Sequence, residues 1–157
     1  MIVREVPWDD SDGATLRRAQ RDEVALRYGT PNTEPEPATP TGPDIAVFFV
    51  AYDDAQPIGC GGLRELDATA GEIKRMYVRP DRRGTGVSKA ILHALETRAS
   101  EHGWSRLALE TGNLLPEAQR FYEREGYVRI PNFGHYAHSP YAVCYERVLT
   151  QPLPEGV

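Results

Sequence analysis

The chain is short of several things that would send its reading elsewhere. It has only two cysteines, Cys60 and Cys144, and both lie in apolar, strand-like runs. Without a secretion signal they read as buried thiols of a reducing cytoplasm, not as a disulfide. No apolar run approaches the ~18 residues that a membrane span needs, so no membrane partner is expected. Met1-Ile2-Val3-Arg4 runs straight into a strand-like segment and lacks the apolar core of a leader. The formal net charge is −5, without the basic surplus of a nucleic-acid binder, so nucleic acid is set aside as a partner. Histidine is scarce. His135 and His138 share a loop with Tyr136, and no third ligand stands near them in sequence, so no metal is expected. They remain candidates for substrate contact or ordinary loop residues.

What is present is ordinary globular composition, 40% hydrophobic and 26% charged over 157 residues, enough for one domain with a real core. Residues 1–150 are expected to form that domain and 151–157 a short frayed tail.

The most informative stretch runs from Glu72 to Leu95. Ile73-Lys74-Arg75-Met76-Tyr77-Val78 is β-branched and aromatic and stops at Pro80, so it predicts a strand. Asp81 to Gly86 is a turn with Gly84 and Gly86 two apart and Arg82 and Arg83 beside them. A helix comes next, with Val87, Ile91, Leu92 and Leu95 on one face. The first N–H groups of a helix have no intrahelical partner, and the helix dipole favours negative charge there. A glycine turn opening a helix is therefore an anion site. It is not a dinucleotide fingerprint, because Lys89 stands where the third glycine would be, and the P-loop spacing is absent.

Elsewhere the chain alternates strand and helix signals. Ile2–Val6 predicts a first strand. Asp9, Asp10, Ser11 and Asp12 offer N-caps for a helix reaching Tyr28, with Gly29 as its stop. Thr30 to Asp44 carries Pro31, Pro35, Pro37, Pro40 and Pro43, which exclude a helix or central strand. It is a plain loop, an extended surface segment or a lid on a cleft. Ile45–Tyr52 and Pro57–Leu66 predict two strands, the second interrupted by Gly59, Gly61 and Gly62, as at a bulge or a close backbone approach. Two hairpin-like connections in a row predict an antiparallel meander. After the main helix come a strand at Leu107–Glu110, parallel to the Ile73–Val78 strand, a helix opened by Pro116, and strands at Tyr127–Ile130 and Tyr141–Leu149. The order is β-α-β-β-β-α-β-α-β-β, with no internal repeat.

At these residues the chain resembles the GNAT superfamily of acetyl-CoA-dependent N-acetyltransferases. Met76-Tyr77-Val78 followed by Arg83-Gly84-Thr85-Gly86 is similar to that family's pyrophosphate-binding segment. Ala118 to Tyr127, AQRFYEREGY, is similar to its later A-x-x-x-Y segment. The chain departs from the pattern at Asp81, where glutamine or arginine is usual, and at Leu115, where asparagine is frequent. The resemblance implies an α/β (α+β) fold: a GNAT-like mixed, mostly antiparallel central sheet of about seven strands, splayed at the middle, with helices on both faces. It implies acetyl-CoA as co-substrate. Met76, Tyr77 and Val78 would line the pantetheine arm, with Met76 and Val78 offering backbone groups. Arg83, Gly84, Thr85, Gly86, Val87 and Ser88 would surround the pyrophosphate.

Acetyl transfer poses two proton problems. The amine must lose a proton before it attacks, and the departing thiolate gains from a donor. The resemblance makes Tyr122 the general acid, since a phenol of pKa ~10 is an acid suited to a thiolate; otherwise it is a core aromatic beside Phe121. Glu72, at the start of the Ile73–Val78 strand, is the first candidate for the base and Glu110 the second; each is otherwise a charge at a strand end. Arg64 and Arg75 are candidates for a substrate carboxylate or simply solvated. Cys144 would need a histidine partner to act as nucleophile.

The resulting expectation is a cytoplasmic acyltransferase that moves an acetyl group from acetyl-CoA to a primary amine of a small molecule. A homodimer is compatible with it. The alternatives are a catalytically weak acyl-CoA-binding sensor, a protein N-terminal or lysine acetyltransferase, and a nucleotide-binding regulatory domain.

Overall fold

A computed structural model describes residues 1–30, 34–35 and 38–149. The expected tail at 151–157 lies outside them, as do residues 31–33 and 36–37 of the proline-rich connection.

Among the described residues the order is β1 (Ile2–Glu5), α1 (Ser11–Tyr28), β2 (Ile45–Asp53), β3 (Gln56–Asp67), β4 (Ala70–Val78), α2 (Val87–Glu101), β5 (Arg106–Gly112), α3 (Pro116–Arg124), β6 (Val128–Ile130) and β7 (Ala142–Val148). The seven strands form one sheet in the order β1-β2-β3-β4-β5-β7-β6. Only β4 and β5 pair in parallel, across the α2 crossover; every other neighbour is antiparallel. The expected mixed, mostly antiparallel architecture is what forms.

Period-two alternation divides the core between the two faces. Val47, Phe49 and Ala51 of β2 face α2 and pack with Val87, Ile91, Leu92 and Leu95, the four positions its periodicity selects. Phe48 and Val50 face the other way and pack with Leu16 of α1 and with Tyr77. α3 joins the α2 side through Tyr122. On the α1 side, Tyr136, Ala142 and Cys144 form a third group with Ala38 of the proline-rich connection, which is fully buried.

The glycines of β3 answer to this packing. A Cβ at Gly61 would stand 2.9 Å from Met76 Sδ and 3.0 Å from Ile91 Cγ2, and one at Gly62 would stand 2.9 Å from Phe48 on the opposite face. The close approach expected there is made by the protein's own α2 and β2.

Two irregularities interrupt the pairing of β4. It pairs with β5 only from Ala70↔Arg106 to Ile73↔Leu109, yet runs on to Val78 while β5 runs to Gly112, so the strands part beyond Ile73. On its other edge the register slips: Cys60 faces Tyr77 but Gly62 faces Lys74. The extra residue is a bulge, and Arg75 within it has φ +59°.

Candidate active site

The glycine turn forms as expected. Gly84 and Gly86 have φ of +76° and +90°, and apart from their chain neighbours no described residue comes within 4 Å of where either Cβ would be. Gly86 is the N-cap of α2 and supplies no side-chain cap. The first bond of the helix runs from Ala90 N to Gly86 O, so the N–H groups of Val87, Ser88 and Lys89 have no acceptor within the helix. No acidic residue stands in its first turn. This open, donor-rich cradle fits a pyrophosphate. The two arginines are not loose charges beside it. Arg82 donates to Asp53 and Gln56, and holds the Asp53 carboxyl below its usual range. Arg83 donates through Nη2 to both oxygens of Glu23, at 2.8 and 3.0 Å, and through Nε to Val78 O at 2.9 Å. The donors left open at the turn are backbone N–H groups, and the guanidiniums sit on carboxylates at its rim. The Val87 side chain is core, leaving its backbone to the turn, and Ser88 is half-buried.

Beyond Ile73 the parted ends of β4 and β5 are tied through α1. Gln20 Nε2 donates to Met76 O at 2.9 Å. At the helix end, Leu114 N donates to Tyr28 Oη at 2.8 Å, Tyr28 Oη donates to Asn113 at 3.1 Å, and Arg27 pairs with Glu117. A Cβ at Gly112 would collide with the Tyr28 hydroxyl. Met76 and Val78 are expected to offer backbone groups here, and the carbonyl of each already takes a donor from the chain itself, Gln20 and Arg83 respectively. Tyr77 turns its ring into the α1-side core, with the Arg83 guanidinium 5.6 Å above it.

The α1-side face of β4 carries a buried charged cluster. Glu72 and Lys74 are two apart on one strand and share that face; the bulge brings Arg75 onto it as well. Glu72 is 1% exposed and accepts from Arg64 Nε at 3.0 Å and from Tyr136 Oη at 2.7 Å. Lys74 Nζ donates to Tyr136 Oη at 2.7 Å and to Glu34 Oε2 at 2.6 Å, while Arg75 Nη2 donates to Glu34 Oε1 at 2.9 Å. Arg64 and Arg75 are thus half-buried and paired, not solvated. Glu34, a described residue of the proline-rich connection, thus reaches the β4 cluster. Beside the cluster is a cleft of about 550 Å³ whose lining includes Arg64, Glu72, Phe133, His135 and Tyr136. His138 is exposed and is not among its lining residues.

Glu110 stands on β5 just past the last β4 pairing, at the point of parting. It is half-buried. Burial pushes its carboxyl up to about 8; the nearby Lys74 charge opposes this, and the Glu34 and Glu72 charges reinforce it. Tyr122 is buried among Phe121 and Tyr127, with ring centroids 5.2 and 5.6 Å away. Burial, then the Glu110 charge, raises its phenol above the ordinary value, so it stays protonated. The charge of Glu110 reaches the Tyr122 phenol. Glu72 lies deeper, tied to Arg64 and Tyr136 and with Lys74 Nζ 3.8 Å from its carboxylate. Cys144 is fully buried and burial pushes its thiol up to about 11, which leaves it a neutral thiol. Among the described residues no group of histidine, cysteine and acidic side chains could hold a metal.

Sequence reasoning missed Glu34, Lys74 and Tyr136 as site residues. Lys74 was within reach, being two residues from Glu72 and so on its face. Tyr136 had only its place between two histidines to mark it, and Glu34 had no signal.

An acetyltransferase (GNAT) domain model matches residues 44–129. The uncharacterized N-acetyltransferase YsnE of Bacillus subtilis is 36% identical over 110 residues, 69% of this chain and 72% of that one. The IAA acetyltransferase of Azospirillum brasilense is 30% identical over 149 residues, 94% of this chain and 97% of that one. A solved Klebsiella pneumoniae structure, assigned as an acyl-CoA N-acyltransferase, shares the fold with a TM-score of 0.79 over 95% of this chain and 97% of its own, at 24% identity. The chain belongs to the GNAT superfamily of acetyl-CoA-dependent N-acetyltransferases.

Proposed function

We propose that residues 1–150 act as one domain that acetylates the primary amine of a small molecule, with Glu110 as general base and Tyr122 as general acid. The observation that carries this is Glu110 at the parting of β4 and β5, with a carboxyl pushed up to about 8 and a charge that reaches the Tyr122 phenol. A base titrating near the working pH combines availability with proton affinity. Glu72 remains in the site as a positioning residue. Its carboxylate is committed to Arg64 and Tyr136, and a proton taken there would disturb a buried network.

The N–H groups of Gly84 to Ser88 hold the pyrophosphate, and Met76, Tyr77 and Val78 line the pantetheine. Acetyl-CoA supplies the activated acetyl group. Glu110 Oε takes the proton of the acceptor ammonium. Tyr122 Oη holds its hydrogen toward the sulfur that gains negative charge; with its pKa raised, it stabilises that charge as a hydrogen-bond donor before any full transfer.

The test is acetylation of an amine panel with mass detection, comparing wild type, Glu110→Gln and Tyr122→Phe. Glu110→Gln should lower kcat about 10²–10⁴-fold, and Tyr122→Phe about tenfold or more. Glu110→Gln with unchanged turnover at every pH removes Glu110 from the mechanism. Binding of CoA with no amine accelerating thiol release favours the sensor reading.

A further inference from the structure

The Lys74–Arg75 pair is built around a carboxylate, and that carboxylate is supplied by a loop. Lys74 is 5% exposed and Arg75 15%. Each binds a different oxygen of Glu34, at 2.6 and 2.9 Å, the arrangement in which two cations recognise one planar carboxylate. The seat is preorganised at a conformational cost. Arg75 holds a left-handed backbone, φ +59°, unfavourable for a residue with a Cβ and long side chain, and this bulge is what sets it beside Lys74 on one face. Tyr136 fixes Lys74 from the other side at 2.7 Å.

The two halves of the contact differ in how they are held. Lys74 and Arg75 sit on a central strand. Glu34 sits on a proline-rich connection between α1 and β2, outside either element. If Glu34 leaves, two largely desolvated cations lose their shared anion, which is costly unless another replaces it. Lys74 and Arg75 both act on the charge of Glu110, so an anion in their seat lies near the base.

We infer that the Lys74–Arg75 seat binds a carboxylate of the acceptor, so that the substrate is a carboxylate-bearing primary amine of the amino-acid class and Glu34 occupies the seat in its place. This rests on the proposed acetylation of an amine at Glu110. The amine and carboxylate of one molecule would then lie toward Glu110 and β4 respectively, and Glu34 competes with substrate.

The experiment compares α-, β- and γ-amino acids with their amides as acceptors. The amide's amine loses its proton more readily, so without a seat the amide is the better acceptor. For at least one acid the wild type should show kcat/KM at least tenfold above that of its amide. Arg75→Gln should reduce this acid-to-amide ratio about tenfold, the worth of one charge-assisted hydrogen bond. Glu34→Gln should change it in the opposite direction, lowering KM for the acid several-fold. Thermal shifts by the N-acetylated acid and N-acetylated amide, with CoA present, give a readout free of turnover, and only the acid should stabilise the wild type. Equal use of acids and amides overturns the inference while the acetyltransferase reading stands. Equal effects of Arg75→Gln on both show that the pair merely latches the loop. Failure of every amine with CoA bound overturns both readings.

Discussion

Tyr136 and Glu72 are joined by a buried 2.7 Å hydrogen bond from phenol to carboxylate, 64 residues apart in sequence. The same hydroxyl accepts from Lys74 Nζ at 2.7 Å, so one side chain from the β6–β7 connection binds two of the three charged residues of β4. Burial and then the Glu72 charge raise the Tyr136 phenol far above its ordinary value, which keeps the hydrogen on oxygen and the bond directed at the carboxylate.

Tyr136→Phe removes this oxygen and leaves a buried carboxylate and a buried ammonium each one partner short. The expected loss is about 1–3 kcal/mol, the penalty for buried groups left unsatisfied. Urea unfolding should show a lower midpoint with an unchanged m-value. A loss below about 0.5 kcal/mol would mean that water takes over the role of the hydroxyl, and that the cluster is more open than its burial implies.

Glu110 makes stability fall as pH rises. Its carboxyl is raised from 4.5 to about 8, so the folded chain holds a proton that the unfolded chain has released between those values. Unfolding is therefore favoured progressively from pH 4.5 to pH 8 by this group, and no further above it. Glu110→Gln keeps the shape and abolishes the titration. Its Tm relative to wild type should climb across that window and level off beyond pH 8. Each 1 kcal/mol gained corresponds to about 2–4 °C for a chain of this size. A difference in Tm that stays flat from pH 5 to pH 9 would place Glu110 in contact with solvent.

The order of elements was legible because each announces itself locally. β-branched runs stop at prolines, Asp10 caps α1, and Gly29 and Gly86 take the left-handed conformations that only glycine adopts freely. The α2 face was legible for the same reason, since Val87, Ile91, Leu92 and Leu95 all reach the core. The cluster on β4 was not. Alternation predicts that Lys74 and Arg75 face opposite ways; a bulge sets them together, and an arginine at positive φ leaves no mark in sequence. The partners of Arg82, Arg83 and Arg75 are Asp53, Glu23 and Glu34, which stand 29, 60 and 41 residues away in sequence. Charge pairing of that kind depends on tertiary placement, which local pattern does not encode.

Arg83 offers the last prediction, because its partner Glu23 competes with the ligand that the turn is read as holding. The guanidinium spends Nη2 on both oxygens of Glu23 and Nε on Val78 O, at the rim of the glycine turn. It is more than a third exposed, so the pair is screened and worth little to stability. Near a pyrophosphate, however, the Glu23 carboxylate repels the ligand and occupies its cation. Glu23→Gln should tighten CoA binding about two- to threefold in dilute buffer, and the gain should vanish near 0.5 M salt, where the Debye length is only a few ångströms. Arg83→Gln should weaken binding in both backgrounds, and by more when Glu23 is absent. Calorimetric titration of CoA into the four proteins of this cycle measures the coupling directly. Weaker binding by Glu23→Gln would reverse the reading: Glu23 would then preset Arg83 for the phosphates, and the 2.9 Å contact with Val78 O would be one half of a clamp that the carboxylate completes.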